Sequence, residues 1–256
     1  MVVLFIGDIF GRTGRNLIKE NLSRIKEENS VNLIIANGEN SAGGVGITKE
    51  IYEDLLSYGI DVITLGNHAW AQKKIFDFID DADRLVRPAN YPLGTPGKPY
   101  VIVEVNGRKA AIINMCGRVF MDCIECPFKT IDSLLSEIGD NVEIKILDFH
   151  AEATSEKIAM GWFLDGRITA VLGTHTHVQT ADERILPKGT GYITDVGMTG
   201  PLNSVLGVKK DIIIKKFISS LPGRFEAEED SGQINAVLLR IDENNHVSHI
   251  KRLNLV

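Results

Sequence analysis

Long apolar runs are missing from this sequence of 256 residues. No stretch approaches the roughly 18 consecutive apolar residues that a membrane-spanning helix requires. The amino-terminal segment Met1–Asp8 is apolar, but it is too short for the apolar part of a secretion signal and lacks a basic leader. We therefore expect a cytoplasmic protein with no membrane partner.

Runs of basic residues are also absent, and the formal net charge is −6. Proteins that bind long nucleic acids through their phosphates usually carry a basic stripe, so we expect no such partner. The segment Gly11–Arg15 is similar to an anion-binding loop at the start of a helix. It lacks the Gly-Lys-Ser/Thr ending of a P-loop, which argues against a nucleoside triphosphatase.

Cysteine is scarce, and its three positions are Cys116, Cys123 and Cys126. An odd, clustered set does not indicate a secreted disulfide framework. Cys123 and Cys126 have C-x-x-C spacing, but no second Cys or His pair lies nearby to complete a zinc knuckle. We interpret all three as ordinary loop cysteines.

The amino-terminal part of the chain alternates between strand-like apolar runs and helical apolar spacing. The predicted helices there are Arg12–Glu28, Lys49–Tyr58 with Thr48 as N-cap, and Trp70–Ile79 with Ile75, Phe76 and Ile79 on one face. Such alternation is typical of βαβ units and a parallel sheet.

The middle of the chain departs from this alternation of strands and helices. Arg84–Pro99 is rich in Pro and Gly and is predicted to be a surface loop. Tyr100–Val105 and Lys109–Asn114 flank Asn106-Gly107, which predicts a β-hairpin. Further helices are predicted at Ile131–Ile138, Ala153–Leu164 and Ile212–Ser220, and further strands at Gly191–Asp195, Ile234–Ile241 and His246–Leu253. We expect one α/β domain over residues 1–256, with two mixed sheets packed face to face and helices outside.

Five strand-like runs stop at residues that can bind a metal ion. The runs and the residues that follow them are Val2–Ile6 with Asp8, Leu33–Ala36 with Glu39 and Asn40, Val62–Leu65 with Asn67 and His68, Ile144–Phe149 with His150, and Ile168–Leu172 with His175 and His177. Parallel strands in an open α/β sheet point their carboxyl ends at one crevice, so these side chains are expected to converge. Carboxylate, amide and imidazole together suit Mn²⁺, Fe²⁺ or Zn²⁺.

The individual residues differ in how strongly they indicate a metal site. Asp8 alone could simply cap the next helix, whereas the pair His175 and His177 can reach two neighbouring ions or chelate one. Two ions commonly share a bridging carboxylate and generate a nucleophilic hydroxide for displacement at phosphorus. Glu39 is the best candidate for the bridge. His246 and His249 lie among charged residues and are left out of the site.

In their order along the chain, these residues resemble the calcineurin-like metallophosphoesterase superfamily. Its usual series is D-x-H, G-D-x-x-D, G-N-H-D/E, H and G-H-x-H, one motif at each successive strand end. The corresponding segments here are Gly7-Asp8, Gly38-Glu39-Asn40, Gly66-Asn67-His68, His150 and Gly173–His177.

Four positions depart from that series. Phe10 stands where the first motif has His, Glu39 stands where Asp is usual, Ala69 replaces an acidic residue, and Thr174 is inserted between Gly173 and His175. With these departures, the motifs closely resemble the bacterial YmdB-like branch of the superfamily.

The resemblance implies a four-layer α/β/β/α sandwich and a phosphodiesterase that acts on cyclic nucleotides, including 2′,3′-cyclic ones. It implies two divalent or mixed-valence transition-metal ions, with iron favoured and manganese or zinc as alternatives. One ion would be held by Asp8, Glu39 and His177, and the other by Glu39, Asn40, Asn67, His150 and His175. The inferred mechanism is attack on phosphorus by a metal-bound hydroxide, with His68 donating a proton to the departing alkoxide.

Other interpretations stay open at this point. The same centre could hydrolyse nucleotide monoesters, for which Arg12, Arg15 and Arg118 are candidate phosphate ligands. The chain could instead be a metal-dependent nucleotide sensor with little turnover, or it could hold a single structural zinc ion. Exposed loops at Phe120-Met121 and Tyr91 are candidates for a subunit contact in a homo-oligomer.

Overall fold

The structure is a computed structural model that describes all residues, 1–256. The strands are β1 (Val2–Ile6), β2 (Asp8–Ile9), β3 (Leu33–Asn37), β4 (Val62–Thr64), β5 (Leu85–Val86), β6 (Tyr100–Val105), β7 (Arg108–Cys116), β8 (Ile144–His150), β9 (Ala170–Thr174), β10 (Arg184–Ile185), β11 (Gly191–Ile193), β12 (Met198–Pro201), β13 (Gly232–Ile241) and β14 (Val247–Leu255). The helices are α1 (Gly11–Asn29), α2 (Lys49–Ser57), α3 (Pro127–Ile138), α4 (Thr154–Leu164) and α5 (Lys210–Ser219), and Lys73–Asp77 forms a short 3-10 helix.

The strands form two mixed sheets. The first has the order β2-β12-β13-β1-β3-β4-β5, and β14 pairs with β13. The second has the order β10-β11-β9-β8-β7-β6. In the first sheet β1, β3, β4 and β5 are mutually parallel, and in the second β7, β8, β9 and β11 are parallel. In the first sheet β13 is antiparallel to β1, β12 and β14, and β2 pairs with β12 in parallel. In the second sheet β6 and β10 join by antiparallel pairing, so both sheets are mixed, as the sequence predicts.

Three apolar layers hold the sheets and helices together. Alternate residues of a strand face opposite sides of its sheet. In β1, Val3 and Phe5 therefore face the second sheet, whereas Leu4 and Ile6 pack beneath α1 and α2. A third cluster joins the outer face of the second sheet to α3 and α4. This is the predicted α/β/β/α order of layers.

Local sequence signals account for several elements. Buried Ile18, Leu22 and Ile25 recur at helical spacing along α1. The Thr48 hydroxyl accepts the Ile51 amide at 3.4 Å and caps α2. Asn106 and Gly107 both have positive φ, at 53° and 75°, as a two-residue hairpin turn between β6 and β7 requires.

The third predicted helix, Trp70–Ile79, is wrong over half of its length, since only Lys73–Asp77 is helical, and that segment is in the 3-10 form. Ile75 and Ile79 are buried as expected, but Phe76 is 53% exposed. Its ring stacks on Trp70 at 5.4 Å between centroids instead of entering the core. The apolar spacing therefore reflects a surface aromatic pair as well as a buried face.

The remaining differences are small. The predicted loop Arg84–Pro99 contains the two residues of β5, and the strand predicted at Ile168–Leu172 begins and ends two residues later. Cys116, predicted to lie in a loop, is the buried last residue of β7, because that strand runs two residues beyond its predicted end at Asn114. Tyr91 is half-buried against Trp70, at 5.5 Å between ring centroids, whereas Phe120 is exposed. No helix is both long and apolar enough to cross a lipid bilayer.

Candidate metal centre

All eight predicted site residues lie together where the two sheets meet at the carboxyl ends of their strands. Glu39 and Asn40 follow β3, Asn67 and His68 follow β4, and His150 is the last residue of β8. His175 and His177 follow β9, and Asp8 opens β2, two residues after Ile6 ends β1. Residues from both sheets therefore contribute to one cluster.

His150 is the centre of the first group of contacts. Its Nε2 atom lies 3.0 Å from Glu39 Oε1, 3.0 Å from Asn67 Oδ1 and 3.0 Å from His175 Nδ1. Glu39, His150 and His175 bring three ligand atoms within 4.8 Å of one another. Carboxylate, amide oxygen and two imidazole nitrogens thus face one small volume.

A second group lies beside the first. Asp8 Oδ1 is 3.7 Å from His177 Nε2. The side-chain amide nitrogen of Asn40 is 3.3 Å from Asp8 Oδ1, 3.2 Å from Glu39 Oε1 and 3.1 Å from His177 Nε2. Asn40 therefore lies between Glu39 of the first group and Asp8 and His177 of the second. Asp8 also reaches the first group, since its Oδ2 atom accepts the His175 amide at 3.2 Å.

The donor set fits divalent cations. A proton on His150 Nε2 can serve only one of the three acceptor atoms that lie 3.0 Å away, whereas a cation can be shared by all of them together with the nitrogen. The backbone also leaves space beside these atoms. A Cβ added at Gly66 would lie 2.3 Å from Glu39 Oε2 and 2.5 Å from His150 Nε2, so only glycine fits there.

The buried charged groups shift one another's pKa values. Burial alone would raise the pKa of Glu39, but the imidazoles of His150 and His68 lower it well below its usual range. Burial would lower the pKa of His150, yet the carboxylates of Glu39 and Asp8 raise it to about 9. Burial and the neighbouring His150 lower the pKa of His175 to about 3. The buried carboxylates therefore stay ionised and hold a proton on His150, and a cation bound at this position would replace that proton.

Sequence reasoning missed the residues that orient His150. Its Nδ1 atom is 2.9 Å from the Thr174 hydroxyl, which donates to Asp148 Oδ1 at 2.6 Å. The other Asp148 oxygen accepts from Thr64 and Asn37, at 2.6 and 3.0 Å. Because its hydroxyl proton goes to Asp148, Thr174 accepts the Nδ1 proton and leaves Nε2 to face the cluster. The inserted Thr174 thus has a positioning role, and the signal for Asp148 was a lone carboxylate two residues before His150 in an apolar strand.

The loop that carries the last two imidazoles is strained and held by a buried ion pair. His175 and His177 have φ values of 101° and 65°, which are unfavourable for residues with a Cβ. Lys157 Nζ donates to the Thr174 carbonyl and to Asp195 Oδ2, both at 2.6 Å. The same Asp195 oxygen accepts the Thr176 amide at 3.0 Å. The pair therefore fixes the backbone on both sides of His175, and sequence reasoning gave no sign of it.

Phe10 stands where the superfamily's first motif has a histidine. Its ring is buried and meets the His177 ring edge to face, at 5.7 Å between centroids. A Cβ added at Gly44 or Gly207 would lie 2.8 or 2.6 Å from atoms of the ring, so the ring fills the space that these glycines leave. Phe10 therefore packs behind His177 and offers no ligand atom.

His68 lies at the edge of an open cleft of about 580 Å³ above the cluster. Its Nδ1 atom is 2.9 Å from Asn40 Oδ1 and 3.3 Å from Glu39 Oε1. Both neighbours are acceptors, so Nδ1 carries a proton and Nε2 is the nitrogen left to exchange one. His246 and His249 are exposed and far along the chain, as expected.

The chain is similar to known proteins along nearly its whole length. Residues 4–253 match the family described as YmdB-like protein. The chain is 51% identical to the 2′,3′-cyclic-nucleotide 2′-phosphodiesterase of Bacillus subtilis (strain 168) over 243 residues, which cover 95% of this chain and 92% of that protein. The crystal structure of a novel phosphatase from Mycoplasma pneumoniae has a TM-score of 0.94 and 36% identity, and covers 100% of this chain and 93% of its own. A 5′-nucleotidase precursor from Thermus thermophilus shares the fold. It is 12% identical with a TM-score of 0.57, and the match covers 100% of this chain and 54% of that one.

Proposed function

The chain belongs to the YmdB-like protein family and is a phosphoesterase that uses divalent metal, and from this premise we propose that it hydrolyses 2′,3′-cyclic nucleotides at a centre of two ions. The proposed ligands are Asp8 and His177 for one ion, Asn40, Asn67, His150 and His175 for the other, and Glu39 shared by both. Iron is the metal that the family resemblance favours, and manganese or zinc suits the same donors.

The observation that carries the diester assignment is the charge of the cleft. No Lys or Arg lines it. Arg15 donates to the Ser41 carbonyl, Arg12 lies 4.0 Å from Glu229, and Arg118 is exposed. A phosphate monoester carries up to two negative charges at neutral pH and gains more from added cationic side chains than a diester with one. The cleft therefore favours the singly charged cyclic diester.

The side chains around the cleft have different roles in the proposed reaction. When bound, the two ions supply charge neutralisation at the phosphate and activation of water. His68 holds its Nδ1 proton on Asn40 and presents Nε2 to the cleft. From there it can give a proton to the ribose oxygen that leaves when the ring of the cyclic phosphate opens. The peptide amide of His68 donates to Glu39 Oε2 at 2.9 Å, which fixes the proton donor relative to the shared ligand.

The proposed substrate class is tested by comparing 2′,3′-cyclic AMP with 2′-AMP and 3′-AMP. We expect metal-loaded protein to open the cyclic diester and to leave both monoesters largely intact. Faster release of inorganic phosphate from the monoesters would make the chain a nucleotide phosphomonoesterase instead. Absence of turnover on all three in Mn²⁺ or anaerobic Fe²⁺ would favour a sensor.

Replacing His68 should separate substrates by their leaving groups. His68→Ala is expected to lower kcat for 2′,3′-cyclic AMP by about 10²- to 10⁴-fold, because a ribose alkoxide is a poor leaving group without a proton. Hydrolysis of bis-p-nitrophenyl phosphate should fall far less, since p-nitrophenolate leaves as a stable anion. Steady-state kinetics on both substrates provide the comparison.

The matched control is His249→Ala, which removes an exposed imidazole outside the site and should change neither rate. Equal losses on both substrates in His68→Ala would rule out the proton-donor role. They would leave His68 as a residue that only holds Asn40 and Glu39 in place.

A further inference from the structure

One wall of the cleft takes no part in the chemistry described above. The polar lining includes four of the proposed ligands, Glu39, Asn40, His175 and His177, together with His68, Glu152 and Thr176. The lining also includes six apolar residues, the apolar wall: Phe10, Val45, Leu206, Val208, Phe225 and Ala227. Phe225 is 52% exposed, so much of its ring is not covered by the chain itself.

Four of the six residues, Leu206, Val208, Phe225 and Ala227, come from two short segments that pair with each other. Val208 bridges Ala227 in antiparallel fashion, the Lys209 amide donates to the Glu226 carbonyl at 3.0 Å, and the Glu228 amide donates to the Gly207 carbonyl at 2.9 Å. The pairing closes the excursion that contains α5. Phe225 directly precedes Glu226, whose carbonyl accepts one of these hydrogen bonds, so the pairing fixes the backbone beside Phe225.

The same wall is tied directly to the candidate metal centre. His177 Nδ1 donates to the Leu206 carbonyl at 3.0 Å, which also leaves His177 Nε2 to face Asp8. The Lys216 ammonium lies 4.6 Å from the centroid of the Phe225 ring and attaches α5 to it. The distance between the wall and the proposed phosphate position is therefore set by hydrogen bonds and packing.

We propose that this wall is the subsite for the nucleobase and that Phe225 is the residue on which the base stacks. The inference rests on the proposed function. A cyclic nucleotide has a charged end, which the ligand cluster attracts, and a flat heteroaromatic end that must lie elsewhere in the cleft. Apolar and aromatic surface suits that end, because bases stack on aromatic side chains.

The composition of the wall also determines which bases are accepted. None of its six side chains carries a hydrogen-bonding group that could read the edge of a base. Stacking is tolerant of sequence, because every base has an aromatic face. The site therefore accepts 2′,3′-cyclic phosphates of all four common nucleosides, and Phe225 contributes to affinity for each of them.

The test compares one variant and the unmodified protein on two substrates, one with a base and one without. Phe225→Ala is expected to lower kcat/KM for 2′,3′-cyclic AMP about tenfold, mainly through KM, since loss of one stacking partner has an effect of this size. The substitution should leave kcat/KM unchanged for 1-O-methylribose 2′,3′-cyclic phosphate, which has the reacting group and no base. The unmodified protein should itself prefer the substrate with the base by a similar factor.

Two further variants make the result specific. Phe217→Ala removes another aromatic ring from the same excursion, 78% exposed and outside the cleft, and should have no effect on either substrate. Phe225→Trp should keep the preference for the substrate with a base.

The base subsite would be overturned if Phe225→Ala lowered kcat/KM equally for both substrates, or lowered it for neither. The proposed hydrolysis would stand in both cases. Failure of the unmodified protein to open either cyclic phosphate would overturn the proposed function, and the subsite with it.

Discussion

Glu39→Gln is expected to lower kcat/KM for 2′,3′-cyclic AMP by about a thousandfold or more. Glu39 is buried, contacts His150, His68 and Asn40, and is the ligand proposed to be shared by the two ions. The substitution preserves its shape and removes its charge. Metal ions supply several kcal/mol of transition-state stabilisation, and each 1.4 kcal/mol corresponds to a factor of about ten in rate.

Glu152→Gln is the matched control, since it makes the same change in a carboxylate that lines the same cleft. Glu152 Oε2 lies 3.1 Å from His175 Nε2, on the side of the ring away from the cluster. A carboxylate that only orients a metal-binding imidazole typically contributes about 10- to 100-fold in affinity or activity. A Glu39→Gln variant that is no more impaired than Glu152→Gln would show that Glu39 is not a shared ligand.

Lys157→Met is expected to destabilise the chain by about 3–5 kcal/mol, because it leaves the Asp195 carboxylate buried without its partner. Both side chains are only 1% exposed, and no solvent replaces the lost contact. For a chain of this size, the melting temperature should fall by about 10 °C. Thermal unfolding of the metal-free protein measures the loss apart from any effect on catalysis.

Two controls separate charge from packing in this pair. Lys157→Met combined with Asp195→Asn should be more stable than Lys157→Met alone, because no uncompensated charge remains. Lys209→Met breaks a surface pair with Glu226, 2.8 Å apart, and should leave the melting temperature unchanged. A Lys157→Met variant as stable as the unmodified protein would contradict the proposed role of the pair in holding the loop around His175.

The layered fold could be predicted because its signals are local. Continuous apolar runs such as Val2–Ile6 are typical of strands covered on both faces, and Asn106-Gly107 specifies a hairpin wherever it stands between strands. The helix predicted at Trp70–Ile79 failed for a tertiary reason. Stacking on Trp70 keeps Phe76 at the surface, so an apolar residue at helical spacing does not face the core.

The candidate site likewise contains residues that the sequence predicts and residues that it does not. The proposed ligands could be predicted to lie together because each ends or follows a strand, and parallel strands end at one edge of a sheet. The residues that position them could not, because their contacts span the chain. Lys157 and Asp195 lie on different elements, and no local pattern connects them. Asp148 was the exception, since strand periodicity alone places it on the same face as His150.

The most direct test of the central claim is a titration of metal-free protein with Mn²⁺, in which bound metal is measured by elemental analysis and hydrolysis of 2′,3′-cyclic AMP is measured at each step. If Glu39 joins two ions, activity should stay low through the first equivalent and saturate at about two ions per chain. Saturation of activity at one ion per chain, or two bound ions with no hydrolysis, would contradict a two-metal phosphodiesterase centre.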